Sequence, residues 1–236
     1  MVNLKEKMNI IKMGKDIPFY NNIPKLAKLD WAILTGSVLL LIGFLTIIPL
    51  PSEYLSISFF LLGLLPALYI CKGKYNIFFK KISLKDIKLI ILLLIGMYIY
   101  SIVMGAVIVR LTGSIAGHSE MNTVPSLIFV ISMIIQIFGE EFFKIFLLLI
   151  LMYLVYRFTN NYKSSIIIGL IGSMVIFGLC HYRAYNGMIL QILLLQGFGS
   201  IFEYFAYIKT KNLWVSYLLH LLRDILPVFL IYLTHI

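Results

Sequence analysis

"FGEEFFKIFLLLILMYLVYRF", residues 138–158, sets two adjacent carboxylates, Glu140 and Glu141, and one cation, Lys144, against an almost unbroken apolar run. About 20 mostly apolar residues are enough to cross a bilayer as a helix, so the run reads as part of a membrane span. Ionisable groups inside such a span are expensive, and they persist where a partner or a function requires them. What these two glutamates do is the question the rest of the chain has to answer.

Working outward, the 236-residue chain is 61% hydrophobic and 13% charged, whereas soluble domains have roughly half and a quarter. Seven apolar segments can be read along it, at 31–50, 54–71, 89–110, 126–157, 165–181, 187–208 and 213–233. The expected fold is all-α, a polytopic transmembrane bundle of about seven spans. The fourth segment measures roughly 48 Å by helical rise, so it is expected to tilt, or to break near Gly139 and make eight. A basic tail over 1–30 precedes a transmembrane domain over 31–236, with no linker between them. Since the first apolar run begins only at Trp31, no cleavable signal peptide is expected. Residues 8–30 carry Ile10, Ile11, Ile17, Phe19, Ile23, Leu26 and Leu29 between lysines and read as an interfacial stretch. Pro18 and Pro24 keep that stretch from forming one continuous helix.

The net charge of +10 invites a nucleic-acid reading, but its distribution opposes one. With the N-terminus cytoplasmic, the inside holds Lys5, Lys7, Lys12, Lys15, Lys25 and Lys28 of the tail. To these the loop after Cys71 adds Lys72, Lys74, Lys80, Lys81, Lys85 and Lys88, and two turns add Arg157, Lys163, Lys209 and Lys211. The outside holds only Arg110 and Arg183, a ratio of sixteen to two that follows the positive-inside rule. The expected partners are therefore the bilayer, with anionic lipids at the cytoplasmic face, and no nucleic acid. Usage rich in Lys, Ile and Asn hints at a bacterial plasma membrane. Cys71 and Cys180 have no disulfide or metal-site spacing and read as buried, inert thiols.

Four of the ten acidic residues, Glu140, Glu141, Glu203 and Asp224, fall inside apolar segments, together with His181, His220, Lys144 and Arg223. In "GEEFFK", Glu140 and Lys144 are four apart and share a helix face. A local ion pair is the plain reading, yet one lysine does not neutralise two carboxylates. Neighbouring carboxylates repel, which equips one of them to take up and release a proton as a general base does. In "FGLCH", Phe177 and His181 are four apart; alone, such a histidine reads as a satisfied core residue. In "HLLRD", His220 and Asp224 are again four apart, a spacing that lets the carboxylate orient the imidazole. Arg223 lies about 100° around that helix and can reach a carboxylate on a neighbour. Polar groups in lipid face inward and find one another, so the three clusters are expected to converge. A glutamate and two histidines in a wet pocket can activate water, directly or through a metal.

These clusters, in this order, resemble the CAAX protease and bacteriocin-processing (CPBP, or Abi) family of intramembrane endopeptidases. The family pattern is EExxxR, then FxxxH, then HxxxN or HxxxD on separate helices. Glu140 and Glu141 match the first, Phe177 and His181 the second, His220 and Asp224 the third. The resemblance covers roughly 89–236 and implies a helical bundle with a hydrophilic cavity. It implies Glu140 as base with Glu141 in support, and His181, His220 and Asp224 holding the water, a metal or the oxyanion. It further implies a metalloprotease with Zn2+ or another divalent ion on Glu140, His181 and His220, or a metal-independent glutamate mechanism. The implied substrate is a peptide or membrane-anchored protein, in CAAX-type, signalling-peptide or bacteriocin processing and self-immunity. One position departs from the pattern. Ile145 stands where the family has arginine, and Lys144 or Arg223 is expected to supply that positive charge.

Two readings from other classes compete with a protease. The missing arginine favours a catalytically silent scaffold or immunity protein, and Glu/His relays favour a small-solute or proton transporter. Other polar residues get plain readings. Glu203, ahead of Lys209, is expected at the inner interface, His118 and Glu120 in a solvated loop, and Arg183 near an anionic group. One geometric conflict also appears. Straight parallel helices with these ends leave His220 at a different depth from Glu140 and His181.

Overall fold

The computed structural model describes residues 17–48, 50–117 and 125–234, and among these there is no strand. Seven helices follow in order: α1 Lys28–Thr46, α2 Ser52–Cys71, α3 Leu84–Thr112 and α4 Leu127–Thr159. The last three are α5 Tyr162–Leu179, α6 Ile189–Thr210 and α7 Leu213–Thr234. Six of them, α1, α2, α3, α5, α6 and α7, are long and apolar enough to cross a bilayer. The faces follow from the solvent. Large aliphatics such as Ile102 (71% exposed) and Leu92 (66%) line the outside, while Glu141, Lys144 and His220 are buried. Apolar outside and ionisable inside is the arrangement of a bundle solvated by lipid.

The helix α4 is the centre, with every residue from 137 to 149 buried between α2, α5 and α7. It is one unbroken helix of 33 residues, so the break anticipated near Gly139 does not occur. Gly139 instead lets two backbones touch: a Cβ there would lie 2.2 Å from the carbonyl carbon of Phe59. A bare Cα at a crossing is how membrane helices approach closely.

Two prolines inside helices are each answered by a hydroxyl from a neighbour. Pro66 has no N–H for the carbonyl of Leu62, and Ser37 Oγ of α1 donates to that carbonyl at 2.8 Å. Pro227 likewise leaves the carbonyl of Arg223 without its helical donor, and Tyr98 Oη of α3 donates to it at 2.9 Å. In lipid these freed groups have no water to turn to, so the proline positions fix which helices pair.

The α6 segment is irregular. A short turn, Ile189–Gln191, runs into a π-helical stretch, Ile192–Gly197, then a 3-10 turn, Phe198–Ser200, before regular helix resumes at Ile201. Gly178 and Gly197 meet there, since a Cβ on Gly178 would fall 2.9 Å from Gly197 Cα. Tyr100 Oη donates to the carbonyl of Leu194 at 2.9 Å inside the π stretch. Widened turns of this kind re-aim the residues that follow.

Part of the described N-terminal tail packs against the bundle. Ile17, Phe19, Tyr20 and Leu26 are buried, with Phe19 against Phe78 and Tyr20 against Tyr156 and Tyr162. An apolar groove of protein was available to these side chains, and they fill it. Of the other apolar tail residues, Ile23 is half-buried and Leu29 is exposed, while Ile10 and Ile11 lie outside the described residues, as do His118 and Glu120.

Candidate active site

A cavity of about 310 Å³ opens between the N-terminal parts of α2 and α4, the middle of α7 and the turn after α5. Glu140, His181, His220, Arg223 and Asp224 all line it. Glu141, Lys144 and Glu203 are buried around it (1% exposed each). The three clusters thus meet, and the depth conflict disappears for a local reason. The turn before α7 is not at a surface: Asn212 and Leu213 are buried. Leu213 N donates to Phe78 O at 2.7 Å, and Asn212 exchanges two hydrogen bonds with the backbone of Lys80. Helix ends in this bundle do not share a plane.

Glu140 stands one turn after Gln136, whose Nε2 donates to Glu140 Oε1 at 2.7 Å. A carboxylate only accepts, so this contact also orients the amide and turns Gln136 Oε1 toward Ser56 Oγ, 3.1 Å away. Oε2 of Glu140 lies 4.0 Å from His220 Nε2. Glu141 faces the other way. Its Oε1 lies 2.7 Å from His220 Nδ1 and 2.5 Å from Lys144 Nζ, deep in the core. The ammonium of Lys144 sits 5.1 Å over the Phe177 ring, a cation–π seat in a desolvated place.

His181 falls just past the end of α5 rather than within it. Its Nδ1 lies 2.8 Å from the carbonyl of Phe177, which can only accept, so Nδ1 carries a hydrogen and Nε2 keeps a lone pair when the ring is neutral. Phe177 stacks edge-on against that ring at 4.8 Å. The Phe–His spacing therefore supplies both a wall and a tautomer.

His220 is held at both nitrogens. Arg223 Nη2 is 2.9 Å from Nε2, and a guanidinium only donates, so Nε2 accepts and Nδ1–H donates to Glu141. Asp224 Oδ2 also lies 3.3 Å from Nε2, an acceptor ready should that nitrogen gain a proton. Arg223 is itself anchored through Nε to Asp224 Oδ1 at 2.7 Å and through Nη1 to Glu203 Oε1 at 2.9 Å.

Two residues important to this geometry, Glu203 and Gln136, did not stand out in the sequence as site residues. Glu203 is not at an interface. It is buried beside Arg223, with Lys144 Nζ 4.0 Å away. Gln136 carried no reading of its own, although Ser132, Gln136 and Glu140 recur every fourth residue in an apolar helix. Arg183 is exposed and is not among the cavity-lining residues. Cys71 and Cys180 are free and buried. The expected metal ligands Glu140, His181 and His220 share the cavity but do not form a ligand cluster, and among the described residues no three His, Cys, Asp or Glu do. Arg223 occupies the nitrogen of His220 that such an ion would need, so the residues as placed do not fit the group.

Residues 122–226 match the model of a family described as type II CAAX prenyl endopeptidase, Rce1-like. No curated protein and no solved structure matches the chain.

Proposed function

We propose, for this multi-pass membrane protein of the CAAX protease family, that the cavity is a proteolytic site hydrolysing a peptide bond of a membrane-associated peptide or protein. The observation that carries this reading is the asymmetry of the glutamate pair. Glu140 borders the cavity with one oxygen steadied by Gln136, while Glu141 is sealed behind it between Lys144 and His220. Glu140 is then the base and Glu141 the group that orients His220.

In this mechanism a water molecule donates one hydrogen to Glu140 and the other to Nε2 of His181, leaving its lone pair for the scissile carbonyl. Glu140 takes the proton as the oxygen–carbon bond forms. The Arg223 guanidinium, on the cavity wall, stabilises the negative charge that develops on the carbonyl oxygen. Glu140 returns its proton to the amine nitrogen as the carbon–nitrogen bond breaks. His220 lies beside Arg223 on the same helix, with a partner for Nε2 in either protonation state.

The substrate class in this reading is a peptide whose own lipid anchor or apolar segment brings it into the bilayer plane, as the family's prenyl endopeptidase description suggests. The N-terminus is cytoplasmic, and exposed Lys72, Lys74, Lys81 and Lys85 meet anionic headgroups on that side. Peptide inventories of membranes carrying the wild type or Glu140→Ala test the proposal. Peptides that shorten only with the wild type are expected; indistinguishable inventories at equal protein levels would contradict it.

A further inference from the structure

Arg223 is fixed from two sides by residues outside the three motifs. Its carbonyl, freed by Pro227, takes a hydrogen bond from Tyr98 at 2.9 Å. Its guanidinium donates to Glu203 at 2.9 Å. Glu203 arrives from α6 just after the π-helical stretch, and its side chain is fully buried. The second oxygen, Oε2, has no hydrogen-bond partner among the described residues. A carboxylate so placed is held at the expense of its hydration, and Arg223 at 2.9 Å is a closer cationic partner than Lys144, whose Nζ lies 4.0 Å away. Meanwhile position 145, where the family pattern has arginine, is a buried isoleucine.

We propose that Glu203 is a positioning residue for hydrolysis. It holds the Arg223 guanidinium against His220, so that the positive charge absent at Ile145 reaches the site from α7 instead. The inference rests on the hydrolytic reading above. Its chemical consequence is specific: with Arg223 Nη2 against Nε2, His220 keeps its proton on Nδ1, where it is hydrogen-bonded to Glu141. Without Glu203 the guanidinium loses the contact that holds Nη1, keeps Asp224 at Nε, and is less firmly held against His220.

Glu203→Gln preserves shape and removes the charge, and Arg223→Met removes the cation. The probe is the set of membrane peptides whose abundance separates wild type from Glu140→Ala, followed in vesicles at matched protein levels. Glu203→Gln is expected to slow processing about tenfold or more, in turnover rather than in KM. Because Glu203 acts through Arg223, Glu203→Gln/Arg223→Met is expected to be no slower than Arg223→Met alone, a non-additivity that a purely structural role does not produce. Wild-type turnover in Glu203→Gln, or losses that multiply in the double variant, would overturn the proposal. Should Glu203→Gln fail to accumulate, the double variant, in which neither buried charge is left alone, still decides against Arg223→Met. If Glu140→Ala itself leaves the peptides unchanged, the hydrolytic reading falls and takes this one with it. If Glu140→Ala blocks processing and Glu203→Gln does not, only this one falls.

Discussion

At the scale of single residues, the site is a set of matched donors and acceptors with little slack. Lys144 is bonded to Glu141 at 2.5 Å and is 1% exposed, so Lys144→Met leaves a buried carboxylate whose remaining partner is His220. Breaking a buried pair from one side costs about 3–5 kcal/mol, and a matching loss of stability in detergent is the expected outcome. Gln136→Leu acts differently. It removes the donor on Glu140 Oε1 without touching Glu141, so peptide processing should fall about tenfold while the protein level in the membrane stays unchanged. The glutamates, histidines and Asp224 were legible in the sequence because charge in an apolar run is conspicuous. Gln136 and Glu203 were not, since a neutral amide raises no alarm and an acid six residues before Lys209 looks like a helix end. Burial decided the matter, and burial of one position depends on the whole helix packing.

At the scale of elements, the helices are paired by their irregularities. If Tyr98 answers the carbonyl that Pro227 frees, the two substitutions are coupled. Tyr98→Phe alone should lower stability by about 1 kcal/mol, and much less in a Pro227→Ala background, where the helical N–H is restored. Thermal unfolding of the four proteins in one detergent measures it; equal losses in both backgrounds would contradict the pairing. Gly139→Ala tests the α2–α4 crossing, because its Cβ would meet Phe59 backbone rather than a movable side chain. Forced separation of two packed helices should cost about 1–3 kcal/mol, again read by unfolding. Seven apolar runs were visible in the sequence because their length and composition are strong signals. Hidden from that view were the π-helical stretch at Ile192–Gly197 and the buried start of α7 at Leu213. Both arise from contacts between distant segments, Gly178 with Gly197 and Phe78 with Leu213, that no local pattern encodes.

At the scale of the molecule, an apolar outer shell surrounds a hollow lined by ionisable side chains. The outward aliphatics of α3 and the buried Glu141–Lys144–Glu203 group are two expressions of the same solvent preference. Around that hollow, α4 brings Glu140, the turn after α5 brings His181, and α7 brings His220, Arg223 and Asp224. The central claim is that Glu140 activates water there. Purified protein in lipid nanodiscs, mixed with the membrane peptides that depend on it and water enriched in oxygen-18, tests this directly. The account predicts one heavy oxygen in the new C-terminal carboxylate of each product with the wild type, and no product with Glu140→Ala. Labelled product formed at the same rate by Glu140→Ala would contradict it.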